Sequence, residues 1–338
     1  MVADARGQST SGFSPARIRG LFQLQETSVA LVAIVIALVF TAIKPDFLTS
    51  DKQVLINDTA RYGLFAVGEA MLMITGEIDL SAAKIYSTVP FIAYYLQAAG
   101  VPFIVGLGVA LIGGALIGAL NGLITVRLGV PSLITTLGML FVLNGITLAI
   151  TQSQPVTTPV VEPINTFLGE GQQAPIGGPA SYAGFIWLAV FVIILAVVLR
   201  RTRFGLHTIS VGSNLLAARE IGIHTDRTKI INFMIMGLLA GFGGIIEAIQ
   251  STNIDPTAGN NNYTLYGIAA AVIGGTSLFG GSGTVIGSLI GAFVVSIIIN
   301  GLPFVGAQAN VSDLPLGLAI ILAMIVNVRF FQRSRGRR

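Results

Sequence analysis

The sequence predicts an all-α integral membrane protein of about ten transmembrane helices, with both termini in the cytoplasm. Three observations carry that expectation. First, 53% of the 338 residues are hydrophobic, only 10% are charged, and the mean hydropathy is +0.83. A soluble domain carries about a quarter charged residues. Second, the apolar runs are long and unbroken rather than alternating, which selects helices over a β-barrel. Third, the basic residues segregate. With ten spans and an inner N-terminus, only Lys44, Lys52 and Arg61 of the 19 Lys and Arg fall on the outer side.

The first element is polar: residues 1–27 carry Gly, Ser and Arg and predict a disordered cytoplasmic tail. A cleavable signal peptide is the alternative reading, but no small-residue cleavage pattern follows the apolar run. The transmembrane domain, 28–328, then holds ten apolar runs. They fall at roughly 28–43, 60–75, 85–99, 103–126, 132–151, 183–199, 230–251, 265–278, 285–300 and 314–328. The second, third and eighth are short for a straight crossing of about 20 residues, so tilt, breakage or half-crossing is expected there. Residues 329–338 form a basic cytoplasmic tail.

Between the sixth and seventh runs lies one soluble-looking segment, 200–229. Arg200, Arg201, Arg203, Arg219, Arg227 and Lys229 place it on the inner face. It carries its own helix signals. Ser213 or Asn214 caps a start, Gly222 ends it, and about two turns lie between. A short helix held on the inner face is a handle for a cytosolic partner. The longest outer loop, 152–180, has no Lys or Arg and five prolines, Pro155, Pro159, Pro163, Pro175 and Pro179. It is expected to dock an outside protein; a passive connector is the alternative.

Several function classes are excluded. There is no Cys, and His207 and His224 both lie in the basic loop, so no metal site is expected. No Gly-Lys pair occurs, so the phosphate-binding loop of an ATPase is absent. No nucleophile elbow or zinc-protease motif is present either. The net charge of +4 follows from membrane topology, and no nucleic acid is expected as partner. No catalytic residue is assigned, and the chain is expected to bind no cofactor.

Internal symmetry is suggested by one match. Gly114, Ile117, Gly118, Leu120 and Gly122 in the fourth run recur as Gly283, Ile286, Gly287, Leu289 and Gly291 in the ninth. An offset of five spans reverses direction, the pattern of an inverted repeat of two five-helix halves. Ile78-Asp79 and Ile254-Asp255 share a similar offset. Glycine is common in membrane helices, and packing alone would produce such a match. The glycine-rich run 274–283 is expected to form a tight inner turn.

Glu69 and Glu247 lie inside apolar runs, with Glu77 and Asp79 at an edge. Such groups serve proton coupling or structural pairing, and Arg61 or Lys84 could neutralise the region around Glu69. The uncharged candidates for a solute pathway are Asn121, Phe141, Asn144, Gln250 and Asn300. The amides among them can bond sugar hydroxyls or join helices. A path of amides and glycines suits a neutral hydroxylated solute better than an ion.

Taken together, these motifs resemble the permease subunit of the ribose-type family of bacterial ABC importers. The resemblance runs from Leu31 to Val328 and rests on four stretches: residues 76–81, 121–122 with 130–138, 204–205 with 212–218, and 270–283 followed by 300–302. It implies a heteromeric importer of a monosaccharide or related polyol in the bacterial cytoplasmic (inner) membrane, surrounded by lipid. Two permease copies, identical or paralogous, would form the pathway. Cytosolic ATPase subunits would hold ATP and Mg, and an extracytoplasmic solute-binding protein would deliver the solute. The coupling helix would then comprise Gly212, Ser213, Asn214, Leu215, Ala217, Ala218, Arg219, Glu220 and Gly222. The small Ala217 and Ala218 would fit the ATPase cleft, so Ala218→Trp is expected to abolish transport with insertion intact. Glu77 departs from the family, which carries glycine there. Nucleosides or branched-chain amino acids are rival solutes within the family, and an ion-coupled secondary carrier or a membrane scaffold or receptor is the rival outside it.

Overall fold

The computed structural model describes residues 25–50, 52–159, 161, 164–169, 182–304, 314–322 and 325. Its elements run α1 (Gln25–Ile43), α2 (Phe47–Ser50), α3 (Lys52–Ile74), α4 (Ala82–Ala98), α5 (Phe103–Arg127), α6 (Ser132–Thr151), β1 (Val156–Thr157) and α7 (Ile164–Gly169). Then come α8 (Ala183–Arg201), α9 (Arg203–Ser213), α10 (Leu215–Glu220), α11 (Thr225–Gln250), β2 (Asn253–Ile254), α12 (Asn260–Ile273) and α13 (Val285–Phe304). Residues 314–322 are also helical. The two strands pair antiparallel, Val156 opposite Ile254. An all-α membrane protein is what the composition predicts and what the fold is. Both polar tails fall almost wholly outside the described residues, as does 170–181 of the long outer loop.

Among the described residues, five helices are long and apolar enough to cross a membrane: α5, α6, α8, α11 and the first 19 residues of α13. The doubtful second, third and eighth runs are not among them. α3 is long but carries Lys52, Asp58, Arg61 and Glu69. At 1.5 Å per residue, the 14-residue α12 reaches about 21 Å, short of an apolar layer of about 30 Å. α3 also begins at Lys52, earlier than the apolar run at 60. Its polar first turns survive because Asp58 finds partners inside the protein: Arg61 at 2.8 Å and Asn300 at 2.9 Å.

Within a membrane, lipid tails are as apolar as leucine, so close packing rather than water exclusion joins helices. The glycines do this here. A Cβ on Gly118 would collide with the Phe233 carbonyl of α11, and one on Gly114 would lie 2.8 Å from the Gly237 carbonyl. Across the molecule, Gly291 of α13 rests on the Ala270 carbonyl of α12 in the same way. α3 runs through the middle with Phe65, Met71 and Ile74 fully buried, and Tyr86, Phe233 and Met236 pack into the same core.

Neighbour relations repeat. α5 packs on α11 and α4, while α13 packs on α3 and α12; α4 lies on α11, and α12 lies on α3. The two short helices, α4 and α12, begin beside one another, with the Ala83 N–H donating to Thr264 Oγ1 at 2.9 Å. Each is entered by the same turn. Asp79 Oδ1 accepts the Ser81 N–H at 2.8 Å and the Ser81 hydroxyl at 2.6 Å. Asp255 Oδ1 accepts the Thr257 N–H and the Thr257 hydroxyl, both at 2.7 Å. An aspartate two residues before a hydroxyl side chain closes an Asx turn and satisfies the first free N–H of the entering chain.

Candidate functional site

The soluble-looking segment folds into two helices, not one. α9 was not marked by the apolar pattern, yet its start is capped: the Gly205 N–H donates to Thr202 Oγ1 at 3.2 Å. The chain then turns at Asn214, whose Oδ1 accepts the Ala217 N–H at 3.0 Å and caps α10. Gly222 closes it at φ +84°, with the Ile223 N–H returning to the Ala218 carbonyl at 3.0 Å and the Gly222 N–H to Arg219. That double return is the Schellman stop that a glycine after the last turn permits.

Exposure divides the nine residues expected to couple. Ala217, Arg219 and Glu220 are exposed and Leu215 is half-buried. Ala218 is 2% exposed, so its methyl faces this chain, and a tryptophan there would break the chain's own packing before reaching any partner. Gly212 and Ser213 end α9 rather than begin α10. A Cβ at Gly212 would strike the Ile74 carbonyl, and Ser213 Oγ lies 3.4 Å from the Gly281 carbonyl. Two apolar side chains inside the segment were not singled out from the sequence: Leu216 is 71% exposed and Ile221 74%. Position alone does not separate them from the buried Ala218; only the helix phase does.

The peg is keyed to the core. The Gly281 N–H donates to the Ile74 carbonyl at 2.9 Å, joining the C-terminal end of α3 to the turn before α13, and Gly212 packs on both. The glycine-rich run is indeed a turn, with Gly275, Gly280 and Gly281 all at positive φ. Glu77 forms an ion pair with Lys229 near the start of α11. That pair neutralises the charge which departs from the family pattern.

Beneath the peg, Asn121 is fully buried and works as a clamp. Its amide donates to Asp79 Oδ2 at 3.1 Å and to Ser81 Oγ at 2.8 Å, so it fixes the turn into α4. Glu69 is fully buried nearby, with the main chain of Asp79 alongside and no side-chain partner among the described residues. Arg61 does not neutralise it. Arg61 instead bridges Asp58 of α3 and Glu247 of α11, and its guanidinium sits 5.4 Å from the Tyr263 ring centre. Lys84 pairs with no carboxylate among the described residues; its electrostatic neighbour is Asp255.

Gln250 and Asn300 join this arginine cluster. Asn300 donates to Asp58, and Gln250 shares a small cavity with Asn57, Arg61, Tyr86 and Glu247. Phe141 is 64% exposed on α6 with Asn144 one turn on. So the five pathway candidates divide among three places: the Asn121 clamp, the arginine cluster and an exposed face of α6. Arg61, at the start of the apolar run, was weighed only as a neutraliser of the region around Glu69, and Asp58 was missed because it precedes the run; their spacing of three on a helix was the available signal.

The described residues form an apolar many-helix body with a short capped helix at its surface, an arrangement that fits a membrane transport component. A family model described as "Branched-chain amino acid transport system / permease component" matches residues 54–326, and the chain belongs to that family. A xylose/arabinose import permease protein of Sulfolobus acidocaldarius is 38% identical, covering 89% of this chain and 84% of the relative. A ribose import permease protein of Escherichia coli K12 is 33% identical over 90% and 94%, and that of Bacillus subtilis 30% over 90% and 93%. No solved structure matches.

Proposed function

We propose that this chain is the non-catalytic permease subunit of an ATP-driven importer of a monosaccharide. The observation that carries the reading is α10: a capped, two-turn helix presenting Leu216 and Ile221 outward while Gly212 locks its base against Ile74 and Gly281. The sugar assignment is supported by the relatives' names, ribose in two and xylose/arabinose in a third, across about nine-tenths of the chain.

In this reading the chain crosses the cytoplasmic membrane ten times with both ends inside. A partner ATPase grips α10 from the cytosol and holds the ATP and Mg. Closing of the ATPase dimer moves α10, α9 carries the motion to α3 and to the turn before α13, and two half-bundles rock around the solute. The halves form an inverted repeat. The mirrored neighbour relations of α3–α5 with α11–α13, and the matching Asp79 and Asp255 turns, support this. A second permease copy completes the pathway, and the outer loop receives the binding protein.

Reconstitution tests the whole. Vesicles containing this chain, its ATPase and a binding protein loaded with ribose, xylose or arabinose should accumulate sugar only with ATP. Uphill uptake by the chain alone, driven by a proton or sodium gradient, would replace the reading with an ion-coupled carrier. Displacement of sugar uptake by leucine or a nucleoside, with no sugar transported, would reassign the solute.

A further inference from the structure

A groove of about 740 Å³ opens beside α10, between the end of α5 and the first turns of α11. Its lip is basic: Arg127, Arg219 and Arg227 surround the single carboxylate of Asp226. Asp226 already lies 3.2 Å from Arg219 and 4.0 Å from Arg127. Three cations against one anion leave positive charge to spare. Arg127 and Arg219 keep 67% and 54% of their side chains exposed, and Arg227 is exposed as well. Below the lip the wall turns apolar, with Ile230 and Met234 half-buried along α11.

That order fixes the ligand chemistry. Arg127 is the last residue of a 25-residue apolar helix, and α11 becomes apolar from Ile230 onward. The boundary between lip and wall therefore coincides with the membrane–water boundary on the inner side, where the positive-inside orientation puts it. A ligand must offer an anionic head at the arginines and a hydrocarbon tail along Ile230 and Met234. A free anion would leave the apolar wall uncovered. A protein docking from the cytosol would have to bury side chains within the hydrocarbon layer.

We propose that this groove binds an anionic phospholipid of the inner leaflet, its phosphate between Arg127 and Arg227 and an acyl chain along α11. Because Arg219 belongs to α10, the lipid head lies against the peg and holds its tail end, Arg219 to Asp226, in one orientation. The proposal takes the orientation from the importer reading but needs no transport to be tested.

The purified chain in neutral detergent is titrated with phosphatidylglycerol and, separately, phosphatidylcholine, and bound lipid is counted by native mass spectrometry. A basic residue near an anionic lipid surface contributes about fivefold in affinity. Phosphatidylglycerol is therefore expected to bind more than tenfold tighter than phosphatidylcholine, and Arg127→Gln/Arg227→Gln to remove most of that difference. Arg127→Lys/Arg227→Lys should retain most of it, which separates charge from folding damage. Equal affinity for the two lipids in wild type would overturn the proposal. So would full displacement by millimolar inorganic phosphate, which would make the lip a soluble-anion site. An unchanged lipid preference in the Gln pair, with loss of ATPase co-purification, would assign the groove to the ATPase. Sugar uptake by the full importer tests the importer reading independently of each of these results.

Discussion

Replacing Arg61 by methionine tests whether the arginine cluster ties α3 to α11. Arg61 serves two carboxylates from different helices, Asp58 on α3 and Glu247 on α11. Their side chains are 12% and 23% exposed, and that of Arg61 21%. Removing one partner of a buried ion pair costs about 3–5 kcal/mol, because the other charge stays behind in a poor solvent. Here two charges stay behind, but Asp58 keeps Asn300, and the Glu247 side chain is 23% exposed rather than fully buried. The lower end, about 3 kcal/mol, is therefore expected for Arg61→Met. Glu247→Met should cost less, since Arg61 retains Asp58 at 2.8 Å. The double variant Arg61→Met/Glu247→Met should be more stable than the two losses summed, by about 1–3 kcal/mol. The assay is unfolding in mixed micelles followed by circular dichroism, on wild type, both single variants and the double. Strict additivity within about 0.5 kcal/mol would show that Arg61 and Glu247 do not act as a pair, and the reasoning would fail.

Three further outcomes follow from the peg and the glycine contacts. Leu216→Asp should weaken ATPase co-purification at least about tenfold, since burying one leucine contributes about 1.5–3 kcal/mol, while Ala218→Trp should lower the yield of folded protein; an inert Leu216→Asp would remove α10 from the interface. Asn214→Ala should cost the peg about 1 kcal/mol of helix stability and slow uptake, with Asn214→Ser restoring both; equal uptake by Asn214→Ala would make the cap irrelevant to coupling. Gly118→Leu should prevent monodisperse purification, because its Cβ meets the Phe233 carbonyl, whereas Gly108→Leu should be tolerated, because nothing lies within 4 Å of that site; size-exclusion profiles separate the two.

Much of the site was legible in advance at the level of chain-local chemistry. Asn214 and Gly222 announce their helix because a cap and a left-handed stop are decisions made within four residues. The turn at 274–283 is legible for the same reason. What was hidden needed neighbours distant in sequence. Asn121 was a pathway candidate by its amide, and became a clamp only because Asp79 and Ser81 pack beneath it. Phe141 and Asn144 carry plausible side chains but stand on a different face from Gln250 and Asn300.

By itself, the sequence determined the apolar surroundings, the helical class and the existence of a short capped helix between the sixth and seventh apolar runs, because hydropathy and capping are properties of short stretches summed along the chain. Only the tertiary structure decided which way each side chain on that handle points, which charges meet, and that α4 and α12 start side by side. Those outcomes depend on helix phase and on contacts between residues as far apart as Asp58 and Asn300. A one-dimensional pattern cannot encode them, since the same run of residues would satisfy its own main chain at any rotation about the helix axis.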